Sequence, residues 1–273
     1  MNTTTTKRFP LTTQRIRAIA SNTFKEAVRN KAFIGLMLGA FAFLVFSLVL
    51  SELNLQAQRL RVVFSFGLFS ISLFGVLIAI VMGVIQLHKE IDKKTIYTIV
   101  PKPVHRFEII VGKYVGMLLI LIVEVAALSL VWVGILYLKE APMSWTILQA
   151  LLLIFMEIMI ITAVATVFSA FSRPVLSGVL TVGIFLTGRV VYLVDEMLRA
   201  TGGFFIKNPE MRPIGDLFVA VFPDLEFFDL SQEVIYGSTV DWGYLGAGLG
   251  YALSYVAVLL AIAVLLFQRR DFV

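Results

Sequence analysis

Residues 62–87 read VVFSFGLFSISLFGVLIAIVMGVIQL, twenty-six consecutive positions without a charged side chain. At 1.5 Å per residue a helix of that length covers about 39 Å, more than the ~30 Å of hydrocarbon in a bilayer. The run is continuously apolar and does not alternate, so it reads as a helix and not as a barrel strand. It stops at residues 88–113, HKEIDKKTIYTIVPKPVHRFEIIVGK, a polar and basic stretch beyond which apolar character resumes. Working outward, five more runs of the same kind lie at about 32–51, 114–138, 145–171, 174–194 and 242–267. The chain is therefore expected to be an all-α polytopic membrane protein with six transmembrane helices. Composition agrees: the 273 residues are 59% hydrophobic and only 15% charged, with a mean hydropathy of +0.92, whereas soluble chains carry about a quarter charged residues.

The first run begins at residue 32 with no small-residue cleavage pattern behind it, so no cleavable signal is expected. Cysteine is absent, which excludes disulfides and thiolate metal sites. Two histidines, His88 and His105, leave little for imidazole catalysis or metal binding. The basic residues fix an orientation. With six spans both termini share a side, and sixteen of the 23 Lys and Arg fall on that side, including Lys7, Arg8, Arg15, Arg17, Lys25, Arg29 and Lys31 before the first span. Six lie on the other side and Arg189 lies within a span. Acidic residues lean the opposite way, eleven against five. Positive residues stay inside, so both termini and residues 88–113 are expected to be cytoplasmic. The net charge of +5 is then a topology signal. It gives no reason to expect nucleic-acid binding, since the basic residues carry no interleaved exposed aromatics.

Two parts are expected: residues 1–31, a cytoplasmic arm with an amphipathic helix, and residues 32–273, the six-span domain. Residues 1–10, MNTTTTKRFP, read as disordered. Over 11–31, Ile16, Ile19, Ala20, Phe24, Ala27 and Val28 fall at helical spacing among basic residues. Such a helix suits the headgroup layer and contact with lipid, a plain lead-in helix being the alternative. The connection at 195–241 is too long for a turn, is broken by Pro209, Pro213 and Pro223, and is rich in Phe. Short helices dipping into the outer leaflet or capping the bundle are expected there; a partner-facing loop is the alternative. Gly243, Gly246, Gly250 and Ser254 in the last span read as internal helix packing, with a dimer seam second.

Within 88–113, Glu90, Thr95, Pro103, Arg106, Gly112 and Lys113 are spaced E-x4-T-x7-P-x2-R-x5-G-K. In this spacing, between two long spans, the chain resembles the membrane permease subunit of type-2 ABC exporters, the class of polysaccharide, drug and copper-maturation exporters. The family pattern there runs E-x3-G-T, a few apolar residues, P-x2-R, then G-K at the head of the third span. Lys94 stands where the family has Gly, which loosens the expected turn. VFPDLEFFDL at 221–230 also looks like the family's segment before the last span. The resemblance covers nearly the whole chain. It implies an ATPase-coupling loop at 88–113, a separate ABC ATPase subunit that carries ATP and Mg, a second permease copy (a homodimer, with a heterodimer also open) and a place in the bacterial cytoplasmic membrane. It also implies outward transport: ATP binding closes the ATPase dimer and the spans move with it.

From the residues alone, KKTIYTIV at 93–100 can form a short helix with Ile96, Tyr97, Ile99 and Val100 as an apolar face, stopped by Pro101 and Pro103. This is a stiff knob able to sit in a groove of a soluble subunit, with Arg106 and Lys113 anchoring to phosphate or to the partner; an ordinary basic loop is the plainer alternative. No G-x4-G-K-[ST] phosphate-binding loop occurs, and Gly112-Lys113 is followed by Tyr114. The chain is not expected to hydrolyse ATP and needs no cofactor of its own.

Glu124, Glu157 and Arg189 lie within spans, where charge is costly and faces the bundle interior or a partner. Arg189 is about 22 Å from the start of the fifth span and Glu157 about 21 Å from the matching end of the fourth. A tight turn at Ser172, Arg173 and Pro174 makes these spans antiparallel neighbours, so the two are expected to pair, as a register-fixing ion pair or as part of a substrate path. Glu124 has no evident mate and is expected to be neutral. Three charges make a thin path for a secondary transporter or channel, and a membrane enzyme would need clustered Asp, His or Ser groups that the sequence lacks. A non-transporting scaffold that passes an ATPase's force elsewhere is the other alternative.

Overall fold

The computed structural model describes residues 12–53, 59–92, 105–200 and 204–269, and these are helical without a strand. A lead-in helix α1 (Thr12–Val28) precedes α2 (Lys31–Leu53), α3 (Arg59–Asp92), α4 (Arg106–Leu138) and α5 (Trp145–Phe171). Next come α6 (Pro174–Gly188) and α7 (Val191–Arg199), the short helices α8 (Phe204–Lys207), α9 (Arg212–Val221) and α10 (Ser231–Tyr236), and α11 (Trp242–Arg269). Six segments are long and apolar enough to cross a membrane, with α6 and α7 together forming the fifth. The chain is a multi-pass membrane protein.

Helix α5 is the axis of the bundle. Its most apolar window is 83% buried, against 17% for α11. Ile154, Ile158 and Ile161 of α5 share a core with Leu68, Ile71 and Ile78 of α3 and with Leu121, Leu128 and Trp132 of α4. In lipid no hydrophobic force drives helices together, so close backbone approach matters. Gly75 supplies it: a Cβ there would lie 2.2 Å from Ile158 Cδ1.

Helices α3 and α4, of 34 and 33 residues, are each about 50 Å long and outrun the hydrocarbon. Their excess lies on the 88–113 stretch, both ends of which are therefore helical. Hydropathy placed the third span's start at residue 114, but the helix begins at Arg106. Glu108 starts it by accepting the His105 amide at 3.0 Å, as a capping carboxylate does. The knob at 93–100 lies outside the described residues, as do residues 1–10.

The expected continuous fifth span is broken. Pro174 opens α6, its missing N–H harmless in a first turn, and Arg173 is extended as a residue before proline must be. The helix ends at Gly188, whose carbonyl accepts the Leu225 amide at 3.1 Å. A Cβ on Gly188 would meet Leu225 Cδ1 at 2.7 Å and the Pro223 carbonyl at 2.9 Å. The chain around Pro223 and Leu225 wedges against α6 and turns it into α7.

The 195–241 connection is helical and caps the bundle in part. Leu225, Phe228, Leu230 and Val234 are buried in the main core, while Ile214, Leu217 and Val221 leave one face of α9 exposed. The expected internal packing of Gly243, Gly246, Gly250 and Ser254 is corrected. These residues are exposed, with nothing near a Cβ on Gly246 or Gly250. The inward face of α11 is instead Leu245, Gly248, Ala252, Val256, Ala263 and Phe267. Helix α1 packs along α4 with Ala20, Thr23 and Ala27 buried. Gly112 and Gly116 of α4 make room for it, since a Cβ on Gly116 would sit 2.6 Å from Thr23 Cβ.

Candidate functional site

Polar side chains collect in two places. The first is the end of the bundle that carries residues 88–113. His88 bridges two carbonyls, with Nδ1 2.9 Å from that of Val84 and Nε2 2.8 Å from that of Ser172 in the α5–α6 turn. Lys113 is buried, and its ammonium donates to the Gln86 carbonyl of α3. Arg106 Nη1 donates to the carbonyls of Phe267 and Gln268, at 3.0 and 2.8 Å. These are last-turn carbonyls of α11, the end of a helix that favours a cation. Arg15 of α1 lies 3.5 Å from Glu108. Sequence reasoning aimed Arg106 and Lys113 at a phosphate or a partner. Within the chain both also donate to main-chain carbonyls, and with Gly112 they join α4 to α11, α3 and α1. Gly112-Lys113 lies inside a helix and forms no phosphate-cradling loop. Thr95, Ile96, Tyr97 and Pro103 lie outside the described residues, as does the side chain of Glu90.

The second place is at the opposite end. Arg189, at the break after α6, donates through Nη2 to Glu157 Oε1 at 2.7 Å and to Ser72 Oγ at 3.2 Å. Ser72 in turn donates to Glu157 Oε2 at 3.1 Å. Arg189 Nη1 faces Glu226 Oε2 at 3.3 Å and Asp229 Oδ2 at 3.6 Å. The guanidinium also lies 5.7 Å from the Phe185 ring centroid. Depth counting placed Glu157 beside Arg189, yet it missed Ser72, Glu226 and Asp229.

The two additional carboxylates are carried by the 221–230 segment, which α11 holds through a row of tyrosines. Tyr244 donates to the Phe227 carbonyl at 2.5 Å and stacks on the Phe227 ring at 4.4 Å. Tyr251 accepts the Asp224 amide at 3.0 Å, and Tyr255 donates to the Val221 carbonyl at 2.6 Å. Asp224 closes the local turn by accepting the Glu226 and Phe227 amides at 3.1 and 3.4 Å. Burial pushes its carboxyl up, and those amides pull part of the way back. The signal in the sequence was three acids within six residues of an otherwise apolar segment, with tyrosines on one face of the last span.

Glu124 is joined to neither place. It is fully buried in α4 beside Gly75, and neither carboxyl oxygen has a hydrogen-bond partner among the described residues.

Six apolar helical segments, with charge buried at one end and helix ends fastened together at the other, make a membrane-embedded bundle. The chain belongs to the ABC-2 family transporter proteins, whose family model matches residues 17–272. It is therefore a transmembrane permease of the ABC-transporter kind, the membrane subunit and not itself the ATPase. Among curated proteins no match is found.

Proposed function

We propose that this permease is an exporter subunit, driven through residues 88–113 by a separate ABC ATPase that binds ATP and Mg on the cytoplasmic side. The observation that carries the reading is the fastening of both roots of that stretch. His88 ties the end of α3 to the α5–α6 turn, Arg106 ties the start of α4 to α11, and Lys113 ties α4 back to α3. Gly112 and Gly116 seat α1 on the same helix. A push on the loop between these roots would reach every one of those helices, with α3 and α4 as levers that outrun the bilayer. Closure of the ATPase dimer then shifts the bundle as a packed body. The excess of basic residues supports a cytoplasmic position for this end and both termini, and the family resemblance supports a bacterial inner membrane. A second copy of the chain completes the transporter, and the little-buried helices α2 and α11 leave surface for it.

Cysteine is absent from the chain, so single cysteines can be placed without background. Tyr97→Cys, co-expressed with the ATPase subunit from the same source, should crosslink to that subunit, while Glu140→Cys at the other end should not. Impermeant thiol reagents should reach Glu140→Cys on intact cells and Tyr97→Cys only on inverted membranes. Permease that retains full transport when the ATPase is absent would refute the coupling.

A further inference from the structure

A cavity of about 470 Å³ lies between α3 and α6 beneath the 221–230 segment. That is within the ~300–1,000 Å³ of small-molecule sites. Its walls are apolar, with Phe69 and Leu73 on one side and Phe185 and Leu186 on the other. Phe69 and Leu186 are 54% and 58% exposed, so the mouth opens sideways between two spans, towards lipid. Its inner end is the Arg189 cluster, with Glu157 and Asp229 in the lining.

The charges there do not balance. One guanidinium stands among three carboxylates, and Arg189 is the only basic residue lining the cavity among the described residues. Arg189 already donates to Ser72, Glu157 and Glu226 and stands 3.6 Å from Asp229, so its single positive charge is outweighed by the carboxylates around it. Glu226 and Asp229 keep 39% and 35% of their side-chain surface open. What the cavity offers a ligand is therefore negative charge with spare acceptor lone pairs, at the end of an aromatic and aliphatic slot. A phosphate headgroup would meet like charge; an ammonium or guanidinium would meet carboxylates and ring faces.

We propose that this cavity binds an amphipathic organic cation, entering sideways from the lipid, with its apolar body between Phe69, Leu73, Phe185 and Leu186 and its positive head at Asp229 in the lining, where Glu226, outside the lining but on the same Arg189 nitrogen, adds negative charge. This names a ligand class for the exporter reading and rests on that reading for its purpose, although binding itself needs no ATPase.

The test uses two probes of nearly the same shape and opposite charge, tetraphenylphosphonium and tetraphenylborate. Each is measured by equilibrium dialysis against the full chain in phosphatidylcholine nanodiscs, with empty nanodiscs subtracted. The wild type should bind the phosphonium saturably, about one per chain, and at least about tenfold tighter than the borate. Glu226→Gln combined with Asp229→Asn should weaken the phosphonium by about tenfold or more and narrow the gap to the borate. Leu186→Trp, which fills the mouth and leaves every charge in place, should abolish binding; it guards against misfolding of the charge variant. No saturable phosphonium binding to the wild type, equal binding of both probes, or a charge variant that binds like the wild type would each overturn the proposal. Crosslinking of Tyr97→Cys to the ATPase subunit is read separately, so failure of the cavity and failure of the coupling give different patterns.

Discussion

The two polar regions of this bundle solve the same problem by opposite means. At the loop end His88, Arg106 and Lys113 address main-chain carbonyls of the helices they touch. At the opposite end Arg189 is answered by side chains, namely Ser72, Glu157, Glu226 and Asp229. A carbonyl is there whatever residue carries it, so these three ties ask for no particular residue on the segment they reach, and Arg15–Glu108 is the side-chain pair beside them. The second region depends on its members, because Glu157 is buried and removal of its cation strands a charge in an apolar interior. One region ties helix ends together; the other holds a defined set of charges.

The largest effect should follow from breaking the charged set. Arg189→Leu leaves Glu157, Glu226 and Asp229 without their cation and should destabilise the protein by about 3–5 kcal/mol, read as a fall in Tm in detergent. Exchanging the pair, Glu157→Arg with Arg189→Glu, should recover less than half of that loss. It restores one contact but sets a third carboxylate beside Glu226 and Asp229. Full recovery would mean that these two acids play no part, and the contrast between the regions would lose its basis.

Next in size is the seat of α1. Gly116→Leu drives a side chain into Thr23 and the Ala20 carbonyl, which stand 2.6 and 2.7 Å from a Cβ there. Overpacking of this kind costs about 1–3 kcal/mol. It should loosen α1 and expose Arg15 and Arg17 to trypsin while the rest of the bundle stays resistant. Unchanged cleavage would show that α1 is not held by α4.

Smaller again is Arg106→Met, which keeps the apolar stem and removes the donors to Phe267 and Gln268. Hydrogen bonds from charged donors contribute about 1.5–3 kcal/mol, and because Arg106 is half-exposed about 1 kcal/mol is expected. Hydrogen exchange should quicken in the last turn of α11 and leave the Arg189 end unaltered. A change at both ends would show the regions to be coupled through the bundle at rest.

The difference between the regions also explains what the sequence could tell. Spans were legible because lipid demands long uncharged runs, and the Glu157–Arg189 contact because a short Ser172–Arg173–Pro174 turn lets depth be counted along two adjacent helices. Ser72 lies 85 positions from Glu157 and Glu226 lies 37 from Arg189; no local pattern registers such distances. Arg106 and Lys113 were legible as a motif, but their bonds to carbonyls of α11 and α3 were not, since a carbonyl has no residue signature. The early start of α4 was hidden because Arg106, Glu108 and Lys113 lower hydropathy without opposing a helix. The inward face of α11 was misread because the small residues at 243, 246 and 250 outnumber Gly248, the one that meets Leu153, Phe227 and Met156.

The smallest effect is expected at Glu124, which neither region engages. An ionised carboxylate without a cation in that interior would cost several kcal/mol. A neutral acid missing its hydrogen bonds costs about 1–3 kcal/mol. The neutral form is the one the site can hold. Glu124→Gln then exchanges one uncharged group for another of similar size, and stability should change by less than about 0.5 kcal/mol. Glu124→Leu, which removes both unsatisfied oxygens, should be neutral or stabilising. If Glu124→Gln instead raised Tm by several degrees, the wild-type group would have to be charged. It would then need a partner it lacks at rest, and the interior beside Gly75 would have to be counted as a third polar region that acquires its partner when the bundle moves.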